Sequence, residues 1–126
     1  MARTFIHPEG APKPAFPLSH GVRKGNILQV AGQVAVDPHT GELIGSTVAE
    51  QTPQVLKNVK RVLEEAGASL DDVVMMRVYL TDVAHFGELN EAYAEFLGGD
   101  FPARTTVYVG LPPGLLVEID ALAVLD

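Results

Sequence analysis

Two alternating segments near the C-terminal end constrain the fold of this chain more than any other feature. Phe101-Pro102-Ala103-Arg104-Thr105-Thr106-Val107-Tyr108-Val109 and the return segment Leu115–Val124 both show the period of two expected of strands. Gly110-Leu111-Pro112-Pro113-Gly114 between them is a run of turn formers. In the first segment Arg104, Thr106 and Tyr108 share one face, and Ala103, Thr105, Val107 and Val109 share the other. In the second, Val117, Ile119, Ala121 and Ala123 form an apolar face, while Glu118 and Asp120 point away from it with Leu116, Leu122 and Val124. The spacing predicts an antiparallel hairpin about Pro112, with Arg104 opposite Asp120 and Thr106 opposite Glu118. The Arg104–Glu118 diagonal would then be about 7 Å. One arginine and two carboxylates are expected together on the sheet face opposite the apolar one.

Two readings of that cluster stand side by side. It is either a cross-strand ion pair of structural value, or a guanidinium that anchors a substrate carboxylate beside an acid that positions water. Gly32 lies within a strand-like stretch, where it marks either a bulge or a close approach of backbone to another group. Asn90 borders the apolar stripe of a helix and needs a hydrogen-bond partner, from a neighbouring loop or from a ligand. The histidines, His7, His20, His39 and His85, lack the spacing of a metal site. His39 and His85 read as surface residues; His20, beside the hairpin at Lys24-Gly25-Asn26, is the one of chemical interest.

Elsewhere Thr4–His7 reads as a short strand, followed by an irregular stretch punctuated by Pro8, Pro12, Pro14 and Pro17. Leu18–Arg23 and a strand beginning at Ile27 form a hairpin, and Asp37-Pro38-His39-Thr40-Gly41 a turn. A helix ends by Gly67 with a stripe of Val55, Leu56, Val59, Val62 and Leu63; it starts either at the capping sequence Thr47–Glu50 or at Thr52-Pro53. Val73–Leu80, apolar except for Arg77, reads as a central strand covered on both faces. Asp82 caps a second helix over about 83–97, which Gly98-Gly99 ends. The order β-β-β-α-β-α-β-β over 126 residues makes one α+β domain, two helices on one face of a mixed sheet. The uncovered face carries apolar groups beside the charges, so a closed homo-oligomer is expected.

The formal net charge of −7 disfavours nucleic-acid partners. Without cysteine there is no disulfide, thiolate nucleophile or thiolate metal site. No apolar run of transmembrane length and no signal-like N-terminal segment occurs, so a cytoplasmic location is expected.

Several of these pieces together resemble the RidA (YjgF/L-PSP) family: Ala31-Gly32-Gln33-Val34, Asp37-Pro38-x-Thr40-Gly41, Gln51 to Asn58-Val59, Asn90-x-x-Tyr93-x-x-Phe96, Phe101-Pro102-Ala103-Arg104 and Val117-Glu118-Ile119-Asp120-Ala121. The resemblance implies a chorismate-mutase-like α+β fold, homotrimers with clefts between subunits, and hydrolysis of enamines and imines to a 2-oxo acid and ammonia without a cofactor or metal. Among its implications, Arg104 clamps the substrate carboxylate and Glu118 positions water. Gly32, Thr106 and the second acid, Asp120, border the pocket, and Asn90 supports it. Leu18 stands where family deaminases often carry a pocket tyrosine, which bears on substrate range. Two other functions stay open: an endoribonuclease or translation inhibitor, as some relatives are labelled, and a non-catalytic trimer that binds small carboxylates such as 2-oxo acids.

Overall fold

The computed structural model describes residues 2–126. Its elements follow the expected order: β1 (Thr4–Ile6), β2 (Gly21–Lys24), β3 (Ile27–Val34), α1 (Val48–Glu65), β4 (Val73–Leu80), α2 (Phe86–Leu97), β5 (Ala103–Tyr108) and β6 (Val117–Val124). The first of the two possible starts of α1 is the one adopted. Thr47 is the N-cap, its hydroxyl accepting the Glu50 N–H at 3.2 Å. The Glu50 carboxylate turns one residue further back, to the Ser46 N–H and hydroxyl. Pro53 therefore lies inside the helix, where it costs about 3 kcal/mol. The stripe offsets this: Val55, Leu56, Val59, Val62 and Leu63 are essentially fully buried, each gaining about 1.5–3 kcal/mol. Asp82 caps a single 3₁₀ turn, Val83–His85, from which α2 continues. Gly98, at φ 81°, ends α2 in the left-handed region that glycine tolerates.

The six strands form one sheet in the order β1-β2-β3-β6-β4-β5. Strand β6 pairs antiparallel with both β3 and β4, and β5 pairs with β4 in parallel. The expected β5–β6 hairpin is thus not formed, and β4 lies between those two strands. The physical reason is the connection through α2. A strand, a crossover helix and a second strand make a parallel βαβ unit, which commits β5 to β4. The 110–116 loop is meanwhile drawn onto α1. The buried Gln51 amide donates to the Gly45 and Gly114 carbonyls (3.1 and 2.7 Å), and its oxygen accepts the Leu116 N–H at 2.9 Å. Asn58 stitches α1 to the end of β3 in the same way, donating to the Val34 and Val36 carbonyls at 2.9 Å each.

The core lies between the sheet and the two helices. Leu28 and Val30 of β3, Met76, Val78 and Leu80 of β4, and Val117, Ile119, Ala121 and Ala123 of β6 face the α1 stripe and Leu89 and Tyr93 of α2. The opposite sheet face is open in the single chain. Strand β4 is interior to the sheet yet covered on one face only: Arg77 is exposed and Tyr79 half-buried on the other, which corrects the expectation of cover on both sides. Ile27, Val107 and Val124 also lie exposed on that open face.

Candidate functional site

Arg104 pairs in register with Met76, and Thr106 with Val78. Both partners point into the helix-covered core, so Arg104 and Thr106 lie on the helix side of the sheet, half-buried at its β5 edge. Glu118 and Asp120 pair with Tyr79 and Arg77 on the open face. Within one chain the arginine and the two acids therefore occupy opposite faces. The expected Arg104–Asp120 pairing and the Arg104–Glu118 diagonal are corrected, because β4 separates the two strands. The split of each strand into faces was read correctly; the matching of one strand's face to the other's was not.

The arginine half is built by α2 and β5. The Arg104 Nη2 donates to the Asn90 Oδ1 at 2.7 Å. The guanidinium carbon lies 5.0 Å from the centre of the Tyr93 ring and 5.6 Å from that of Phe86, within cation–π range of both. Tyr93 is held in turn by its hydroxyl donating to the Met76 sulfur at 3.3 Å. Burial pushes the Tyr93 phenol above its ordinary pKa, and the charge of Arg104 pulls the other way. The Asn90 side-chain oxygen thus finds its partner in the Arg104 guanidinium, which it orients, rather than in a loop. Among the described residues the one ion pair is Arg77–Asp120, so Arg104 has no carboxylate partner. It opens onto a cavity of about 300 Å³ bordered by Asn90, Tyr93, Ala94, Phe101 and Pro102. A planar cation with spare N–H donors beside a small, mostly apolar cavity is suited to a two-point grip on a carboxylate.

The acid half is built by β3, β4 and β6. A bulge between Val30 and Gln33 brings Gly32 against Glu118. A Cβ at Gly32 would stand 2.7 Å from Glu118 Oε2 and 2.9 Å from its carboxyl carbon, so both sequence readings of this glycine, bulge and close approach, hold at once. Asp120 accepts from Arg77 Nε at 2.9 Å and from the Tyr79 hydroxyl at 2.7 Å. The hydrogen bond to Asp120 is the main reason the Tyr79 phenol is raised above its ordinary pKa. Burial, and secondarily the charge of Asp120, push the Glu118 carboxyl up as well. A carboxyl raised in this way moves towards the range in which it exchanges protons near neutral pH.

Leu18 is half-exposed before β2 and does not border the cavity beside Arg104. His20 is half-buried with its ring 5.6 Å from that of His7. His85, expected at the surface, keeps its Nδ1 buried without a hydrogen-bond partner. Phe86, Tyr93, Arg77 and Tyr79 were not singled out as site residues from the sequence. Arg77 alone carried a signal, as the one charge in an apolar strand. Among the described residues no group of three or more His, Asp or Glu side chains is placed to hold a metal ion. No helix among them is long and apolar enough to cross a membrane.

The profile of the family described as "Endoribonuclease L-PSP" matches residues 8–125. The chain belongs to that family. It is 48% identical over 124 residues to a RutC family protein of Pyrococcus abyssi, covering 98% of each chain. It is 38% identical over 125 residues to the mouse 2-iminobutanoate/2-iminopropanoate deaminase, covering 98% of this chain and 93% of that one. Among solved structures, Escherichia coli TdcF with bound serine superposes with a TM-score of 0.89 at 35% identity, covering 98% of this chain and 99% of that one. The L-PSP assignment agrees with the RidA-type α+β fold expected from the residue motifs.

Proposed function

We propose that this L-PSP family member is a cofactor-independent hydrolase of reactive imines and enamines that carry a carboxylate, releasing a 2-oxo acid and ammonia. The observation that carries the reading is Arg104: a guanidinium without an acid partner, oriented by Asn90 and two aromatic rings at the mouth of a small cavity. The name of the mouse relative supports the substrate class.

The opposed halves lead to the assembly. Arg104 and Glu118 of one chain cannot face one ligand, so the working site is formed between copies, with Arg104 of one and Glu118 of the next. A closed homotrimer, with its open sheet faces turned inward, meets this requirement and covers Ile27, Val107 and Val124. Arg104 then fixes the substrate carboxylate while Thr106 and Gly32 line the pocket and the charge of Asp120 helps to raise the Glu118 carboxyl. Glu118 accepts a proton from water, the resulting hydroxide adds to the imine carbon, and the nitrogen takes up a proton. The carbinolamine collapses as its hydroxyl proton passes by way of Glu118 to the nitrogen and the C–N bond breaks, which frees ammonia and leaves the 2-oxo acid. An enamine enters after protonation at its β-carbon. Positioning is the main contribution, since such imines also hydrolyse in water unaided.

The test generates 2-iminopropanoate or 2-iminobutanoate enzymatically and follows 2-oxo acid release. Arg104→Ala should fall to the uncatalysed rate, and unchanged turnover would overturn the reading. The serine in the TdcF structure favours a second reading, a small-carboxylate binder without turnover. Calorimetric binding of a 2-oxo acid with no acceleration of imine hydrolysis would select it. A ribonuclease reading finds no basic surface in the charge balance of −7.

A further inference from the structure

A second cavity, about 500 Å³ against about 300 Å³ beside Arg104, shares no bordering residue with the first. Neither Glu118, Gly32 nor Leu18 borders it. It lies on the helix side of β3, between Val36, the α1 residues Arg61 and Val62, and a proline-rich strap running from Pro8 to Phe16. Its volume is that of a small-molecule site.

Four observations bear on what it takes. Much of its wall is apolar, from the strap prolines, Val36 and Val62, and the Phe16 ring at its rim is left 73% exposed. Lys13 and Arg61 both border it, and neither has a carboxylate partner among the described residues. Arg61 uses one nitrogen on the Glu9 carbonyl and keeps further donors. The one bordering acid, Asp37, already accepts the N–H groups of His39 and Thr40 through one oxygen, which holds its carboxyl below the usual range. In a chain of net charge −7, this opening carries more positive than negative charge. His20 on the wall accepts the Ala31 N–H through its backbone carbonyl, and its ring makes no hydrogen bond among the described residues. Burial, and then His7, lower its pKa, so at neutral pH it offers a neutral ring with one donor and one acceptor.

Access is physically cheap. The strap is tied at its start by the Glu9 N–H to Glu65 at 2.7 Å and by His39 to the Gly10 carbonyl at 3.2 Å. Among the described residues, 12–17 make only the local bond from the Leu18 N–H to the Phe16 carbonyl. That part of the strap lifts without breaking a hydrogen bond to the body.

We propose that this cavity is a second ligand site, separate from the Arg104 site, for a small carboxylic acid with an aromatic or branched apolar body. The carboxylate meets Lys13 and Arg61, and the body lies under the prolines against Phe16, Val36 and Val62. The site is complete within one chain and does not depend on the deaminase reading.

The test titrates phenylacetate into the isotope-labelled protein and follows backbone amide shifts. Saturable shifts should centre on Ala11, Lys13, Ala15, Val36 and Thr40. Loss of a charge-assisted contact weakens binding about tenfold or more, so phenylacetamide and the Lys13→Gln/Arg61→Gln variant should both bind that much more weakly. Both substituted side chains reach solvent, and an unchanged amide spectrum elsewhere establishes that the variant folds. Arg104→Gln should bind phenylacetate as well as the unaltered chain. Absence of saturable shifts, shifts centred on Asn90–Arg104, equal affinity for the amide, or loss of binding in Arg104→Gln would each overturn the proposal.

Discussion

Mixing two inactive variants tests whether the candidate site is shared between copies. Arg104→Ala removes the carboxylate grip, and Glu118→Gln removes the proton acceptor; each alone should reduce imine hydrolysis to the uncatalysed rate. Because the two side chains lie on opposite faces of one sheet, a site that uses both draws them from different chains. Unfold the two variants together in equal amounts and refold them, so that chains assort at random. A site is intact when the copy supplying Arg104 is the Glu118→Gln chain and the copy supplying Glu118 is the Arg104→Ala chain. Each condition holds for half the chains, so about one quarter of sites recover in a closed cyclic assembly, whatever the number of subunits. Activity near 25% of the unaltered protein should therefore return on mixing. If the site were built within one chain, every site in the mixture would lack one residue and nothing would return. Recovery indistinguishable from zero, with assembly confirmed by light scattering, would refute the shared site.

Other consequences are as direct. Gly32→Ala places a methyl group where Glu118 now stands, 2.7 Å from its Oε2, and should cost about tenfold or more in kcat/KM and about 1–3 kcal/mol in stability. In a Glu118→Ala background the stability loss should largely disappear, which denaturant titration of the double-mutant cycle checks. Asn90→Ala frees the guanidinium from its orienting oxygen and should raise KM more than it lowers kcat. Asp120→Asn removes a negative charge that helps to raise the Glu118 carboxyl, so the acid limb of the pH–rate profile should move to lower pH. Because Glu118 is raised above its unfolded value, its ionised form is disfavoured in the fold. Its unfavourable contribution is present above the folded pKa, fades as pH falls from the folded towards the unfolded value, and is absent below the latter. Glu118→Gln should accordingly be more stable than the unaltered chain at pH 7, by thermal melting, with the difference shrinking in acid.

Much of the architecture could be read from local pattern. The strand alternations, the α1 stripe from Val55 to Leu63, the Thr47 cap, the Asp37–Gly41 turn and the Gly98 stop each depend on a few neighbouring residues, and each appears in the structure. The same locality made the faces of β5 and β6 legible, including which residues share a side with Arg104 and which with Glu118. Gly32 also carried its meaning in the sequence, since a side-chain-free residue within a strand asks for either a bulge or a close neighbour. Of the residues that orient Arg104, Asn90 stood out as a polar residue beside an apolar stripe, whereas Phe86 and Tyr93 had the spacing of core positions on α2, and nothing local said that a cation would lie over them.

Strand neighbours were another matter. Backbone hydrogen-bonding groups are the same along every strand, so a sequence does not state which strand lies beside which. The turn-forming run Gly110–Gly114 between alternating segments suggested a hairpin; the α2 crossover and the buried Gln51 amide, far away in the chain, decided otherwise and let β6 enter between β3 and β4. Local residue order thus settled what each segment is and which way its side chains alternate, because those depend on covalent geometry and near neighbours. Only long-range packing settled that Arg104 and Glu118 face away from each other, because that depends on which backbone edges meet once the core is buried.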